Sequence, residues 1–74
     1  MPATICPMGQ LKGLLNNQTE ITVDAGQTVR DALAVLQVKP EDIAGVIVNG
    51  DLQSKEYTLQ DGDEVKLFAV MGGG

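Results

Sequence analysis

The sequence contains no histidine and only one cysteine, Cys6. Zinc sites, Cys/His nucleophilic pairs and Ser/His/Asp triads therefore lack the residues that they need. A single cysteine also excludes an internal disulfide framework. Because no basic residue is near Cys6 in the sequence to stabilise a thiolate, we expect an inert side chain in or beside the core.

Long apolar runs and an excess of positive charge are also missing. Apolar residues make up 43% of the chain, but they occur in short runs, and the first residues show no basic region followed by an apolar stretch. We therefore expect neither a membrane span nor a secretory signal, and a cytoplasmic location. Ten acidic residues against five basic ones give a net charge of −5, which opposes binding to nucleic acids and to anionic membranes.

The acidic residues do not replace the missing catalytic groups. Five of them fall mostly in predicted turns, without a base, a nucleophile or a metal set as partners, and we interpret them as a solvated face: Asp51, Glu56, Asp61, Asp63 and Glu64. We therefore predict that the chain is not an enzyme and binds no cofactor or metal of its own.

Hydrophobic periodicity predicts several strands in this short chain. Residues 3–7 are apolar and partly β-branched, and residues 19–24 alternate with period two, which predicts a second strand antiparallel to the first. Residues 45–49 form a continuous apolar run that predicts a central strand covered on both faces. Asn49-Gly50 predicts a hairpin to a brief return strand, and residues 64–70 alternate as the last strand.

One main helix lies between the strands. Thr28 is a predicted N-cap, and the helix is expected to end near Val38 and to pack through Val29, Ala32, Leu33 and Leu36. Residues 8–15 predict a short helical turn or an irregular link, and residues 40–43 a single turn. The predicted fold class is α+β, a mixed sheet of four to five strands with one helix packed on one face.

The end of the sequence stands out because an apolar strand leads into three glycines. We expect residues 1–70 to form the domain and residues 71–74 a flexible tail, whose glycines lack the Cβ that would crowd a narrow channel. An extended chain from Val70 to Gly74 would reach about 15 Å. Phe68 and Val70 are predicted on the uncovered face of the sheet, as an apolar partner surface. Ordinary surface residues and a frayed end are the alternative.

Four groups of residues resemble those of a known family, the MoaD/ThiS-type sulfur carriers, which have a ubiquitin-like β-grasp fold. They are Ala25-Gly26-Gln27-Thr28-Val29, Val48-Asn49-Gly50, Asp61-Gly62-Asp63-Glu64-Val65 and the glycines at 72–74. Each group is common by itself, but their order and spacing make a specific combination.

The resemblance implies that the chain is a substrate for other enzymes. An E1-like adenylating enzyme would bind the sheet face and use ATP to activate the Gly74 carboxylate. A persulfide donor would then convert it to a thiocarboxylate, and the carrier would pass the sulfur to a synthase subunit. Gly73 and Gly74 would carry the chemistry, and the partner-binding residues would be Phe68, Val70, Met71 and Gly72.

The third glycine departs from the diglycine ending of the family. Aligning Ala69-Val70 with similar carriers makes Gly72-Gly73 the matched pair, so that Gly74 would be an extra residue. The sequence leaves open whether Gly74 is removed before activation. It also leaves open the oligomeric state.

The pathway and the fate of the activated tail have alternatives. Residues 11–15 and the short connection 50–60 look like the small subunit of molybdopterin synthase, whereas residues 67–70 look like the carrier of thiamine thiazole synthesis; the first branch is favoured. A ubiquitin-like modifier would use the same adenylate and form an isopeptide with a partner lysine. A β-grasp interaction module would leave the glycines idle.

Overall fold

A computed structural model describes residues 2–70 of the chain. Its elements are β1 (Ala3–Pro7), α1 (Leu11–Leu14), β2 (Ile21–Val23), α2 (Val29–Val35), a 3₁₀ turn (Pro40–Asp42), β3 (Ile43–Val48), β4 (Asp51–Gln53) and β5 (Glu64–Ala69). Met1 and residues 71–74 lie outside the described residues, and with them the predicted flexible tail.

The strands form one mixed five-stranded sheet in the order β2-β1-β5-β3-β4. The central pair, β1 and β5, is parallel, and Thr4 pairs with Glu64. The other pairs are antiparallel, including the predicted pairing of β1 with β2. The mixed sheet with one main helix is therefore confirmed. None of the helices in residues 2–70 is long and apolar enough to cross a membrane.

Helix α2 covers one face of the sheet and closes the core. Thr28 caps it as predicted, because its Oγ1 accepts a hydrogen bond of 3.1 Å from the N–H of Asp31. Val29, Ala32 and Leu33 of the helix are fully buried, and Leu36 is partly buried against the core. The core residues include Ile5, Leu11, Val29, Ala32, Leu33, Val46, Leu59, Val65 and Leu67.

The helix ends three residues before the predicted Val38. Leu36 is the C-cap, and Gln37 follows with φ of 62°, in the left-handed region. The N–H of Gln37 donates to Ala34 O, and the N–H of Val38 donates to Leu33 O. These two bonds are those of a Schellman motif, in which glycine usually occupies the left-handed position. Because glutamine occupies that position, the sequence has no glycine there to indicate the end of the helix.

The expectation that β3 is covered on both faces is wrong. Ile43, Val46 and Val48 are buried against the helix, whereas Ala44 is exposed and Ile47 is only half-buried. The apolar run is continuous because Ile47, on the other face from Val46 and Val48, is also apolar. A register irregularity lies just before it, between Ile43 and Gly45. The hairpin at Asn49-Gly50 is confirmed, and both residues have positive φ, as a type I′ turn requires.

Candidate functional site

The last strand is fixed where the described chain ends. The backbone N–H of Val70 donates a hydrogen bond of 2.9 Å to the carbonyl oxygen of Asp42, the last residue of the 3₁₀ turn. Ala69 pairs with Ile43 just before it. The structure therefore defines a firm base for residues 71–74. The predicted site residues Met71, Gly72, Gly73 and Gly74 themselves lie outside the described residues.

The sheet face opposite α2 is the open face, formed by Thr4, Cys6, Ile47, Lys66 and Phe68. The strand register sets Cys6 and Ile47 beside Lys66, one on each side. Phe68 lies opposite Gly45 on the same face and is half-buried. The predicted position of Phe68 on this face is thus confirmed.

Cys6 lies half-buried on the open face, so of the two expected positions it is beside the core and not in it. Its neighbours in the strand, Ile5 and Pro7, take the buried positions because side chains alternate along β1. Partial burial and the nearby carboxylates of Glu64 and Glu20 raise the pKa of the Cys6 thiol, and Lys66 opposes them. A raised pKa keeps the thiol protonated, in agreement with the inert side chain that we predicted.

Two shallow apolar concavities flank the end of β5. The first, of about 330 Å³, lies between Phe68 and the segment that leads into α1. The second, of about 280 Å³, lies between α1 and the 3₁₀ turn and includes Val70. They share Gln10 and Ala69, and we call them together the tail-base cleft. Its lining residues are Met8, Gly9, Gln10, Leu14, Glu41, Asp42, Phe68, Ala69 and Val70.

The structure thus brings Phe68 and Val70 to one site, but on different sides of Ala69. The sequence interpretation missed the opposite wall of this site, which comes from α1 and the 3₁₀ turn. Leu11 and Leu15 bury their side chains in the core, whereas Leu14, at the end of the same short helix, is 69% exposed. Helical spacing would place Leu14 on the same face as Leu11, so the sequence held no signal for this wall.

One member of the predicted acidic face is buried. Asp63 is 6% exposed, and its carboxylate accepts hydrogen bonds from Asn49 Nδ2, Tyr57 OH and Gln60 N, each 2.8 Å long. Burial alone would raise the pKa of Asp63, but the bonds from Gln60, Tyr57 and Asn49 outweigh it and lower the pKa. The solvated-face interpretation is therefore wrong for Asp63, which holds the turn before β5 in place.

The remaining acidic side chains form no site for a metal ion. Glu56 pairs with Arg30 at the start of α2, and Asp51 and Glu64 are exposed. Within residues 2–70 no group of three potential ligands is close enough to hold an ion. Among the described residues, the candidate functional surfaces are therefore the open face and the tail-base cleft.

Comparison with known proteins extends this description. The model of the ThiS family matches residues 8–74. SAMP1 from Haloferax volcanii is 23% identical with a TM-score of 0.71, and the match covers 100% of both chains. The putative molybdopterin converting factor, subunit 1, from Pyrococcus furiosus is 21% identical with a TM-score of 0.71, over 93% of this chain and 97% of that one. Urm1 from Trypanosoma brucei is 21% identical with a TM-score of 0.73, over 99% and 95%. No curated protein matches the chain.

The structural matches confirm the ubiquitin-like β-grasp fold that the sequence resemblance implied. At these identities they establish the fold alone. The family match is more specific, because it covers all but the first seven residues and includes the glycines at 72–74. On this match, together with the shared fold, the chain belongs to the ThiS family.

Proposed function

We propose that the protein is a sulfur carrier whose Gly74 carboxylate is adenylated by an E1-like enzyme and then converted to a thiocarboxylate. The observation that carries the proposal is the family match, which runs through the terminal glycines to residue 74. Because Gly74 falls inside the matched range, we further propose that it is activated directly, without prior removal of a residue.

The proposed chemistry has three steps, supplied by partners. An oxygen of the Gly74 carboxylate attacks the α-phosphorus of ATP, and pyrophosphate leaves to give an acyl adenylate. The terminal sulfur of a donor persulfide attacks the carbonyl carbon, and AMP leaves. A second thiol then cleaves the resulting acyl disulfide, which gives the thiocarboxylate and a disulfide on the donor side. The carrier contributes the carboxylate and its presentation.

The described residues support presentation rather than catalysis. The hydrogen bond from Val70 N–H to Asp42 O fixes the point from which residues 71–74 continue. The half-buried Phe68 and the exposed Val70 offer apolar contact area next to that point. A partner that binds this surface would position the carboxylate at a small cost in the conformational entropy of the domain, because the domain is already ordered.

The proposed partners are an adenylating enzyme, a persulfide donor and a sulfur-accepting synthase subunit, all in the cytoplasm. ATP would be bound by the adenylating enzyme. We favour the molybdopterin branch over the thiazole branch because the segment at residues 11–15 and the short connection 50–60 look like the former. Delivery of sulfur to one purified synthase and not to the other would decide between them.

The test is the intact mass of the protein from its native cells, measured against the same chain expressed alone. We expect a species that differs by one sulfur-for-oxygen exchange, localised to the C-terminal peptide. A mass increased by whole proteins would instead identify a modifier, and a species that lacks one glycine would contradict direct activation. An unmodified terminus under all growth conditions would favour the plain interaction module.

A further inference from the structure

The exposed apolar side chains of the described chain are concentrated at one place. Five large apolar residues are exposed, and three of them, Met8, Leu14 and Val70, line the tail-base cleft. The other two, Val35 on α2 and Leu52 on β4, lie apart from it. Scattered exposed apolar residues are ordinary on a protein surface, but a clustered apolar concavity marks a binding site.

The rim of this cleft is acidic. Glu41 and Asp42 line it beside Val70, and no basic residue lines either concavity. In the part of the chain that the structure describes, the side chains of Glu41 and Asp42 make no hydrogen bond or ion pair. By contrast, Glu56 is paired with Arg30, and Asp63 is buried in its own network.

The acidic rim is attached to the strand that continues into the tail. The carbonyl oxygen of Asp42 accepts the hydrogen bond from Val70 N–H, so the rim and the tail base form one unit. A partner that recognises the two carboxylates thereby also fixes the position of Val70. This connection links recognition at the cleft to delivery of residues 71–74.

We propose that the tail-base cleft binds a segment of the activating enzyme in which a large apolar side chain stands next to an arginine or lysine. The apolar side chain enters the concavity between Leu14 and Val70, and the basic group pairs with Glu41 and Asp42. This inference rests on the proposed function, because it names how the activating partner recognises the chain. A second copy of this chain is a poorer occupant, since its net charge of −5 would oppose an acidic rim.

The experiment is steady-state adenylation with the purified activating enzyme of the same organism, followed by pyrophosphate release. The charge variant is Glu41→Lys with Asp42→Lys, and the apolar variant is Leu14→Ser. The matched controls are Asp51→Lys on β4 and Val35→Ser on α2, which are exposed and remote from the cleft. Thermal unfolding of every variant checks that the fold is intact.

We expect the KM for the carrier to rise about five- to tenfold in both cleft variants, with kcat unchanged and both controls like wild type. The wild-type KM should rise with added salt, and the charge variant should lose most of that dependence. The dissociation constant measured without ATP should shift by the same factor.

Two results would overturn the inference while leaving the proposed function in place. One is a wild-type KM in both cleft variants, and the other is a change in only one of them, since the proposed segment combines both contacts. Failure of the wild-type chain to be adenylated at all would overturn the proposed function and this inference together. The two failures are therefore distinguishable in one set of assays.

Discussion

Asn49 and Asp63 are joined by a hydrogen bond of 2.8 Å from Asn49 Nδ2 to Asp63 Oδ1, across fourteen residues of sequence. The same amide accepts a bond of 2.9 Å at its Oδ1 from the N–H of Glu64. Asn49 also occupies the first left-handed position of the β3–β4 turn. A single side chain therefore connects the hairpin to the start of β5, the strand that leads into the tail.

Asp63→Asn should lower the free energy of unfolding by about 1–3 kcal/mol near neutral pH, because the amide cannot accept all three hydrogen bonds of the buried carboxylate. The pKa of Asp63 is lowered in the folded state. Its contribution is therefore fully present above the unfolded pKa of about 3.9 and is lost as the pH falls through the lower folded value. Urea unfolding at a series of pH values should show the difference between wild type and variant shrinking in acid.

The control for that series is Asp51→Asn, which changes an exposed carboxylate on β4. It should leave stability nearly unchanged at every pH. An equal loss in the Asp51 variant, or a constant difference down to the lowest pH, would contradict a specific role for the buried carboxylate.

Asn49→Gly separates the side chain of Asn49 from its backbone conformation. Glycine accepts the positive φ of 52° without strain, so the variant removes only the bonds to Asp63 and Glu64. We expect a loss of about 1–2 kcal/mol in chemical unfolding. Asn49→Ala should lose about 1 kcal/mol more, because alanine adds the cost of the left-handed backbone. Equal stability of the two variants would show that strain is absent.

Gln37→Gly should stabilise the protein. Gln37 holds φ of 62° in the motif that ends α2, and glycine adopts that conformation without a steric penalty. We expect a gain of about 0.5–1 kcal/mol, seen as a higher midpoint of thermal unfolding. The matched control is Ala34→Gly in the same helix, where the residue is exposed and glycine should cost about 1 kcal/mol. A loss of stability in both variants would contradict the expectation that glycine relieves backbone strain at position 37.

Cys6 should react slowly with alkylating reagents near neutral pH. Burial, with the carboxylates of Glu64 and Glu20, raises the pKa of its thiol, so the reactive thiolate is scarce. The rate constant of Cys6 with iodoacetamide should be lower than that of free cysteine. It should continue to rise with pH above the range in which an ordinary cysteine thiol ionises. Lys66→Ala should slow the reaction further, since Lys66 lowers the pKa. A faster reaction in that variant would contradict this electrostatic account.

Gly74→Ala should impair activation and leave the fold intact. The added methyl group crowds the carbonyl carbon that must be attacked, and Gly74 lies beyond the residues 2–70 that the structure describes. Pyrophosphate release should fall, while the thermal midpoint stays at the wild-type value. Gly13→Ala is the comparison, because a Cβ at Gly13 meets nothing within 4 Å. Normal activation of the Gly74 variant would argue strongly against the proposed mechanism.

Local signals predicted most of the fold. The alternating strands, the Thr28 cap and the Asn49-Gly50 turn depend on neighbouring residues, so they were readable from the sequence. The end of α2 could not be predicted from the sequence, because Gln37 adopts a conformation that usually requires glycine. The burial of Asp63 was not readable either, since its partners Asn49 and Tyr57 are brought to it only by the tertiary fold.

One part of the candidate site could also be predicted from the sequence, and another part could not. Phe68 was predicted on the open face from the alternation of the last strand, and it lies there. Val70 was predicted on the same face but lines the second concavity, and the predicted glycines lie outside the described residues. The opposite wall of the tail-base cleft comes from two short elements, α1 and the 3₁₀ turn, that lack a strong pattern of their own. Their approach to β5 depends on how Leu11 and Leu15 are buried, which is a property of the assembled core.

The parallel pairing of β1 with β5 has a consequence for biosynthesis. Thr4 and Glu64 are neighbours in the sheet, so its centre cannot form until the ribosome has delivered the residues of β5, about sixty positions after β1. Contacts so distant in sequence form late and slow the search for the native state. A nascent or prematurely terminated chain thus lacks both the central strand and the glycines. Under the proposed function, the tail-base cleft would exist only once β5 has joined the sheet, so folding would precede recognition by the activating enzyme.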